Sequence, residues 1–402
     1  MAVQDYRLRN LDYTAIKVQT DKNTAVIPDT YIQDSTLDMK PSGVNGGEDT
    51  RTAGNKAARQ KLLRGLRTYE GTWNLFAEPN TTYYLLNMLY AAGTTTGVGP
   101  YTTVFDVTST TEPKAYTMDV AKNGKVERFI GVEAKGLSDA YEEGDNTAHW
   151  ETELVAHNHF SSALISATPI GAGPSTVILK TTFDPSPTAG LVVGDTMTAR
   201  NVSADTYTSL TIASIVDATS FTTTENATSL SEDDELYIAP QTGITFATEQ
   251  TAFEWGTHTL KLAATIAALG AASNICAEQD TTLKLIHGIE NDTGNTCMGN
   301  LHPTQMRRMM SDAEVSVKRR KGDDENLDIQ YLHRVAQSIQ YNWTSESIYS
   351  LVVTGNSVQI EENEVPANSG ELYYNTSTYK PGWDSVTSKN LGVTLVNNLD
   401  TT

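Results

Sequence analysis

Histidine is the side chain best suited to chemistry near neutral pH, and three of the seven in this chain lie close together, His149 and the pair His157-Asn158-His159. On an extended segment an H-x-H pair puts both rings on one face, and neutral imidazoles are common zinc ligands. No carboxylate or cysteine completes a ligand spacing around them, so surface or interface histidines are expected in place of a metal site. The His-Asn-His word lacks the ββα setting that a nuclease needs. Gly93-Thr-Thr-Thr-Gly-Val-Gly99 has the glycine content of a phosphate cradle. It follows an apolar helical run instead of opening one, and no Lys-Ser/Thr comes after it, which excludes a P-loop. Cys276 sits beyond an Ala-rich segment with no His-Asn partner pattern, and with Cys297 it makes neither a disulfide framework nor a full zinc site. Glu142-Glu143 and Asp233-Asp234 read as solvated turn residues. The expectation is a protein without catalytic activity, cofactor or metal.

The elements that position these residues are set by composition. The chain has 402 residues, enough for about two to three domains. It carries 29 Lys+Arg against 49 Asp+Glu, a net charge of −20, which argues against a surface built to grip nucleic-acid phosphates. Hydrophobic residues at 39% and charged residues at 19% mark a globular chain. The remainder is rich in Thr, Ser, Asn and Gly, which suits twisted sheets joined by turns. No apolar run approaches the roughly 20 residues that span a bilayer, and the start lacks a basic and then apolar leader. Cytoplasmic synthesis and no membrane partner are the expectation.

Along the chain, Thr30 to Met39 reads as a strand. Pro41-Ser-Gly-Val-Asn-Gly-Gly47 then opens a polar, Gly-rich stretch running to about Arg67. Its later portion holds Arg51, Lys56, Arg59, Lys61, Arg64 and Arg67 without one Asp or Glu. A long loop of this kind is commonly functional, and a basic arm in an acidic chain fits docking against an acidic surface of another subunit. A solvated loop and a nucleic-acid contact are the other readings. Tyr69 to Leu75 alternates as a half-buried strand, with Tyr69, Trp73 and Leu75 on one face. Tyr83 to Ala92 reads as an apolar helix closed by Gly93. Lys122-Asn-Gly-Lys125 predicts a hairpin between Ala115–Val120 and Val126–Lys135, and Ala148 to Val155 alternates again.

Residues 168 to about 245 differ in texture. Short apolar phrases at 176, 191, 210, 220 and 235, spaced by turns, predict a small β-barrel or Ig-like sandwich inserted between two larger units. The last third then repeats the first in pattern. Thr281–Ile289 stands for the first strand, a polar loop turning basic at Arg307 and Arg308 for the loop, and Ala313–Lys321 for the second strand. Leu327–Ile339 matches the helix, Ser347–Glu361 turned at Gly355-Asn356 matches the hairpin, and Leu391–Val396 closes the set. The division expected is residues 1–165, an insertion at 166–245, and a second copy at 246–402.

Gly71-Thr-Trp-Asn-Leu-Phe-Ala-Glu-Pro-Asn, the apolar helix ending Ala-Ala-Gly, Phe129-Ile-Gly-Val-Glu-Ala-Lys-Gly-Leu and Thr152-Glu-Leu-Val together resemble the tail tube (major tail) proteins of tailed bacteriophages. Leu283-Lys-Leu-Ile-His-Gly-Ile-Glu-Asn to Leu351-Val-Val-Thr-Gly resembles the second domain of the duplicated variety. The resemblance covers both halves but not the insertion. It implies a mainly β protein with two tandem domains, each of two packed antiparallel sheets and a flanking helix. It also implies homotrimeric, pseudo-hexameric rings stacked into a hollow tube for genome passage, with a long loop docking ring to ring. The tape measure protein and the tail terminator and tip proteins are its implied partners. DNA would pass without specific binding, and the location would be the virion tail, assembled in the host cytoplasm. An acidic lumen would repel DNA phosphates; Asp119, Glu127, Glu133, Glu151, Glu153 and Glu361, on polar strand faces, are candidates for its lining, and ordinary solvated strand faces are their other reading. In this scheme the insertion projects outward. A β-sandwich decoration or carbohydrate-binding virion protein is the alternative function.

Overall fold

The computed structural model describes residues 13–32, 36–42, 45–48, 62–64, 67–107, 112–122, 124–140, 147–171, 173–182, 184–241, 244, 250–275, 280–291, 306–320, 327–364 and 374–399. Among the described residues the fold is mainly β, with 56% strand and 8% helix. The N-terminal unit contains β1 (Tyr13–Val18), β2 (Thr30–Ile32), β3 (Thr36–Ser42), β4 (Asn45–Glu48), β5 (Leu62–Arg64) and β6 (Thr68–Phe76). Helix α1 (Pro79–Leu89) follows, then β7 (Ala91–Thr96), β8 (Tyr101–Asp106), β9 (Tyr116–Lys122), β10 (Lys125–Ala140), β11 (His149–Ala156) and β12 (Asn158–Phe160). The middle holds β13 (Ala163–Leu164), β14 (Thr176–Ile178), β15 (Thr196–Asn201), β16 (Thr206–Ile215), β17 (Ser220–Thr223) and β18 (Glu235–Ile238). The C-terminal unit holds β19 (Thr259–Ala263), β20 (Asp280–Asn291), β21 (Met306–Arg320), helix α2 (Leu327–Leu332), β22 (Gln337–Ser345), β23 (Tyr349–Glu364), β24 (Tyr374–Lys380) and β25 (Leu391–Asn397).

Every ladder among the described residues is antiparallel. The N-terminal unit has a sheet in the order β2–β1–β9–β10–β12 and a second in the order β3–β6–β11–β10. The long strand β10 belongs to both. The C-terminal unit repeats this plan with β19–β22–β23–β25 and β20–β21–β24–β23, the long strand β23 again shared. The bends recur too. Gly131, at φ +67°, lies where the β9–β10 ladder skips from Phe129 to Val132, and Ser357, at φ +49°, lies where the β22–β23 ladder skips between Gly355 and Val358. A second skip follows in each strand, between Ala134 and Gly136 and between Ile360 and Glu362. Such bulges bend a strand sharply enough to pass it from one sheet to the next. At Gly131 the backbone leaves no alternative, because a Cβ there would stand 2.8 Å from both the Lys22 carbonyl and His157 Cβ.

The middle segment pairs in the order β13–β18–β15–β16–β17–β14, and a bridge from Ile165 to Leu179 joins the ends into a small barrel. This barrel is not a loose appendage. Val126 of β10 pairs with Ile238 of β18, and the barrel's core residues Met197, Leu210, Phe221 and Leu236 form one buried cluster with Tyr13, Ala15, Val126 and Phe160 of the N-terminal unit.

Several elements differ from the sequence expectation. Helix α1 starts at Pro79, not Tyr83, because proline is well suited to the first helical position. It stops at Leu89, and Ala91-Ala-Gly-Thr-Thr-Thr96 is strand. Gly93 serves this hairpin, not a helix cap, since a Cβ would lie 2.1 Å from the Val104 carbonyl. The expected helix over 327–339 is cut to Leu327–Leu332, with Ile339 in β22. Gly355-Asn356 is no turn; it lies inside the continuous β23.

Candidate assembly interface

The point where the two units meet is a β ladder. Gly136, Leu137 and Ser138 of β10 pair with Ile286, Leu285 and Lys284 of β20. The two four-stranded sheets thereby become one eight-stranded sheet, β3–β6–β11–β10–β20–β21–β24–β23. The join is head-to-tail: the last strand of one set meets the first strand of an identically ordered set. Among the described residues, β3 has one ladder neighbour in this sheet, β6, and β23 over Gln359–Glu364 has one, β24.

The buried side of the joint is built from aromatic and apolar groups of both units. Leu137 and Leu285 are buried, and Trp150 of β11 stacks on Trp343 of β22 with ring centroids 4.9 Å apart and planes at 15°. Phe253 meets Trp343 edge-on at 5.6 Å, and Trp150 Nε1 donates to Thr82 Oγ1 of α1 at 2.8 Å. The buried carboxylate of Asp139 accepts a hydrogen bond from the Leu283 amide and one from Tyr341 Oη, each at 2.5 Å. His258 lies against Tyr341, with ring centroids 4.2 Å apart, and burial lowers its pKa to about 4. Helix α1 packs on β10 of its own unit and on β25 and β23 of the other. The β7–β8 hairpin then extends the C-terminal unit's sheet, with Phe105 opposite Val393 and Tyr101 opposite Asn397.

The outer face of the eight-stranded sheet is polar. Glu151 and Glu153 are exposed there on β11, and Glu361 is exposed on β23 at the bulge. Lysines interleave with them: Lys135 pairs with Glu70 at 3.0 Å, and Lys380 pairs with Glu361. The other carboxylates expected from sequence to line a surface are elsewhere. Glu127 is exposed on the other sheet, where the neighbouring His159, its Nε2 3.8 Å from the carboxylate, holds the carboxyl below the usual range despite partial burial. Asp119 and Glu133 depart from the expected lining, since both are buried inside the protomer and line no surface. Glu133 lies 3.2 Å from Lys22 Nζ. Asp119 is covered because the barrel's 190–195 turn packs over it. Arg128 bridges them, donating through Nε and Nη2 to Asp119 at 2.7 and 2.8 Å, and through Nη1 and Nη2 to Asp195 at 2.7 and 3.0 Å. Arg128 Nη1 also donates to the Gly190 carbonyl at 3.3 Å, and Asp195 accepts from the Val192 amide at 2.7 Å. Burial opposes the charge on Arg128, but the two carboxylates outweigh it and hold the guanidinium firmly protonated.

Of the basic arm, Arg51, Lys56, Arg59 and Lys61 lie outside the described residues. Arg64 ends β5, and Arg67 is half-buried. Among the described residues no group of three His, Cys, Asp or Glu could hold a metal ion. His149 instead lies tilted against Phe76 at 4.6 Å, and His159 lies against Phe129 at 4.6 Å. Sequence reasoning missed Asp139, Tyr341 and Arg128. Their roles come from partners between 9 and 202 positions away, and no local pattern encodes those. No helix among the described residues is long and apolar enough to cross a membrane. No family model matches the chain, and no curated protein matches it.

Proposed function

We propose that this chain is a self-assembling tube subunit of the kind its sequence resembles in tailed bacteriophages. Three protomers would close a pseudo-sixfold ring, and rings would stack into a hollow conduit in the virion tail. The observation that carries the reading is the head-to-tail joint of two identically ordered four-stranded sheets. A contact between different surfaces repeats until it closes a ring or runs on as a filament, and closing the sheet removes its edges. The eight-stranded sheet ends on the two strands, β3 and β23, that correspond to the strands already joined in its middle. Its polar face, with Glu151, Glu153 and Glu361, would line the bore and repel phosphate, with lysines moderating the field. The basic arm, with Arg59, Lys61 and Arg64, would dock on an acidic rim of the adjoining ring. Tape measure, terminator and tip proteins are the partners this role implies.

Negative-stain microscopy of concentrated purified protein tests the reading. Rings or hollow rods with three-fold or pseudo-six-fold end views are expected; only small discrete particles, at every concentration and in salt that supports assembly, overturn it. Replacing Arg59, Lys61 and Arg64 by Ala should shorten the rods while the soluble protomer keeps its circular dichroism. Unchanged rod length and yield would refute the docking role.

A further inference from the structure

The ladder registers match the two units residue for residue. Gly136, Leu137 and Ser138 follow the second bulge of β10 as Glu362, Asn363 and Glu364 follow that of β23. On the first strands, Lys40 lies opposite Glu70 as Lys284 lies opposite Glu314. The internal joint sets Ser138 opposite Lys284, Leu137 opposite Leu285 and Gly136 opposite Ile286. The same joint between two chains sets Glu364 opposite Lys40, Asn363 opposite Pro41 and Glu362 opposite Ser42. A glutamate position then stands opposite a lysine position in the register, a favourable cross-strand combination. Pro41, lacking a backbone N–H, suits an edge strand that must not pair indiscriminately.

The helices give a second, independent indication. Helix α1 buries Leu85, Leu86, Met88 and Leu89 and reaches across to β25. Helix α2 packs on its own β23 but leaves Leu332 74% exposed, with Tyr331 and Val335 exposed beside it. In the correspondence of the two units, β12 stands for β25. The β25 edge is taken by β8, whereas among the described residues β12 has β10 as its one ladder partner. Beside β12 a cavity of about 330 Å³ opens between the N-terminal unit and the inserted barrel, lined by Arg67, His159, Phe160, Leu164, Lys180 and Pro187.

We propose that the contact between protomers repeats the contact within one. Strand β23 of one copy pairs with β3 of the next in the register above, and Leu332 of α2 enters the notch between β12 and the barrel. This rests on the ring reading and gives the barrel a role there: it forms a section of the wall that receives the neighbouring helix, where the internal joint uses the β7–β8 hairpin.

Directly opposed residues of an antiparallel pair have Cα atoms about 4.5–5.5 Å apart, within disulfide reach. The full chain carrying Lys40→Cys and Glu364→Cys, assembled and then oxidised, should run on non-reducing gels as a closed three-chain species. Each single variant should not, and neither should Lys40→Cys with Gln359→Cys. In parallel, Leu332→Asp alters an exposed side chain, so the protomer should keep its fold while the assembled fraction falls at least about tenfold, a cost of about 1.4 kcal/mol. Rings by microscopy with neither the cross-link nor the Leu332→Asp effect would overturn this contact and leave the ring reading standing. No rings from the wild-type chain would overturn both.

Discussion

Replacing Asp139 by Ala should strip the joint between the two units of a buried, charged anchor. The carboxylate is 4% exposed and accepts from the Leu283 amide and from Tyr341 Oη. Its removal leaves the buried Leu283 amide facing a methyl-sized side chain and turns Tyr341 Oη to the Thr281 carbonyl, 3.5 Å away. An unsatisfied buried group costs about 1–3 kcal/mol, so Asp139→Ala should lose about 1–3 kcal/mol. That is a large share of the roughly 5–15 kcal/mol that holds a domain folded. Asp139→Asn keeps an acceptor oxygen and loses charge assistance, so its cost should be nearer 1–2 kcal/mol. Urea unfolding is the assay, followed by tryptophan fluorescence, because Trp150 and Trp343 stack across the same joint. Combining Asp139→Ala with Tyr341→Phe should show a coupling of at least about 1 kcal/mol, since the two share one hydrogen bond. Amide exchange at Leu283 should rise in the Ala variant. Stability within about 0.5 kcal/mol of wild type, or strict additivity of the pair, would refute the anchoring role.

Arg128→Met should cost about 3–5 kcal/mol, because it leaves Asp119 and Asp195 buried without their cation. Urea midpoints measure the loss, and faster proteolysis within 184–241 should accompany it if Arg128 fastens the barrel. His258 should make the protein acid-labile. The unfolded imidazole takes up a proton near pH 6.5, the folded one only near 4, so stability present at neutral pH falls as pH drops through that window. From pH 7 to 5 the loss assigned to this group is about 2 kcal/mol. The urea midpoint of His258→Phe should fall less than that of wild type over the same interval, and an equal fall would exclude His258 as the source.

What the sequence made legible was local. Tyr69 to Leu75 alternates because one face of β6 is buried and the other is wet, and the strand is there with Tyr69, Trp73 and Leu75 buried. The expectation of Asp119 on a solvent-facing side of β9 misled for a physical reason: both faces of that strand are covered, one by the N-terminal unit's own core and one by the barrel's 190–195 turn. Asp119 therefore sits on a polar face that meets Arg128 and not solvent. Gly355-Asn356 carries turn chemistry, yet the left-handed residue it precedes, Ser357, makes a bulge inside a strand. Turn and bulge both call for a positive φ, and only the partner strand decides between them. Helix α2 was overestimated because the spacing of Leu327, Tyr331 and Val335 says nothing about whether a partner covers those side chains.

Strand β10 touches every region of the molecule in turn. Val126 meets the barrel, Arg128 to Ile130 meet β12, and Gly136 to Ser138 meet the C-terminal unit. At about 3.3 Å per residue, those stations lie along some 40 Å of a single backbone. A pull on the barrel therefore loads covalent bonds that continue, through two bulges, into the central joint, with no slack linker to absorb it. In the stacked array proposed above, whatever tugs at the barrel would be felt at the joint between the two units.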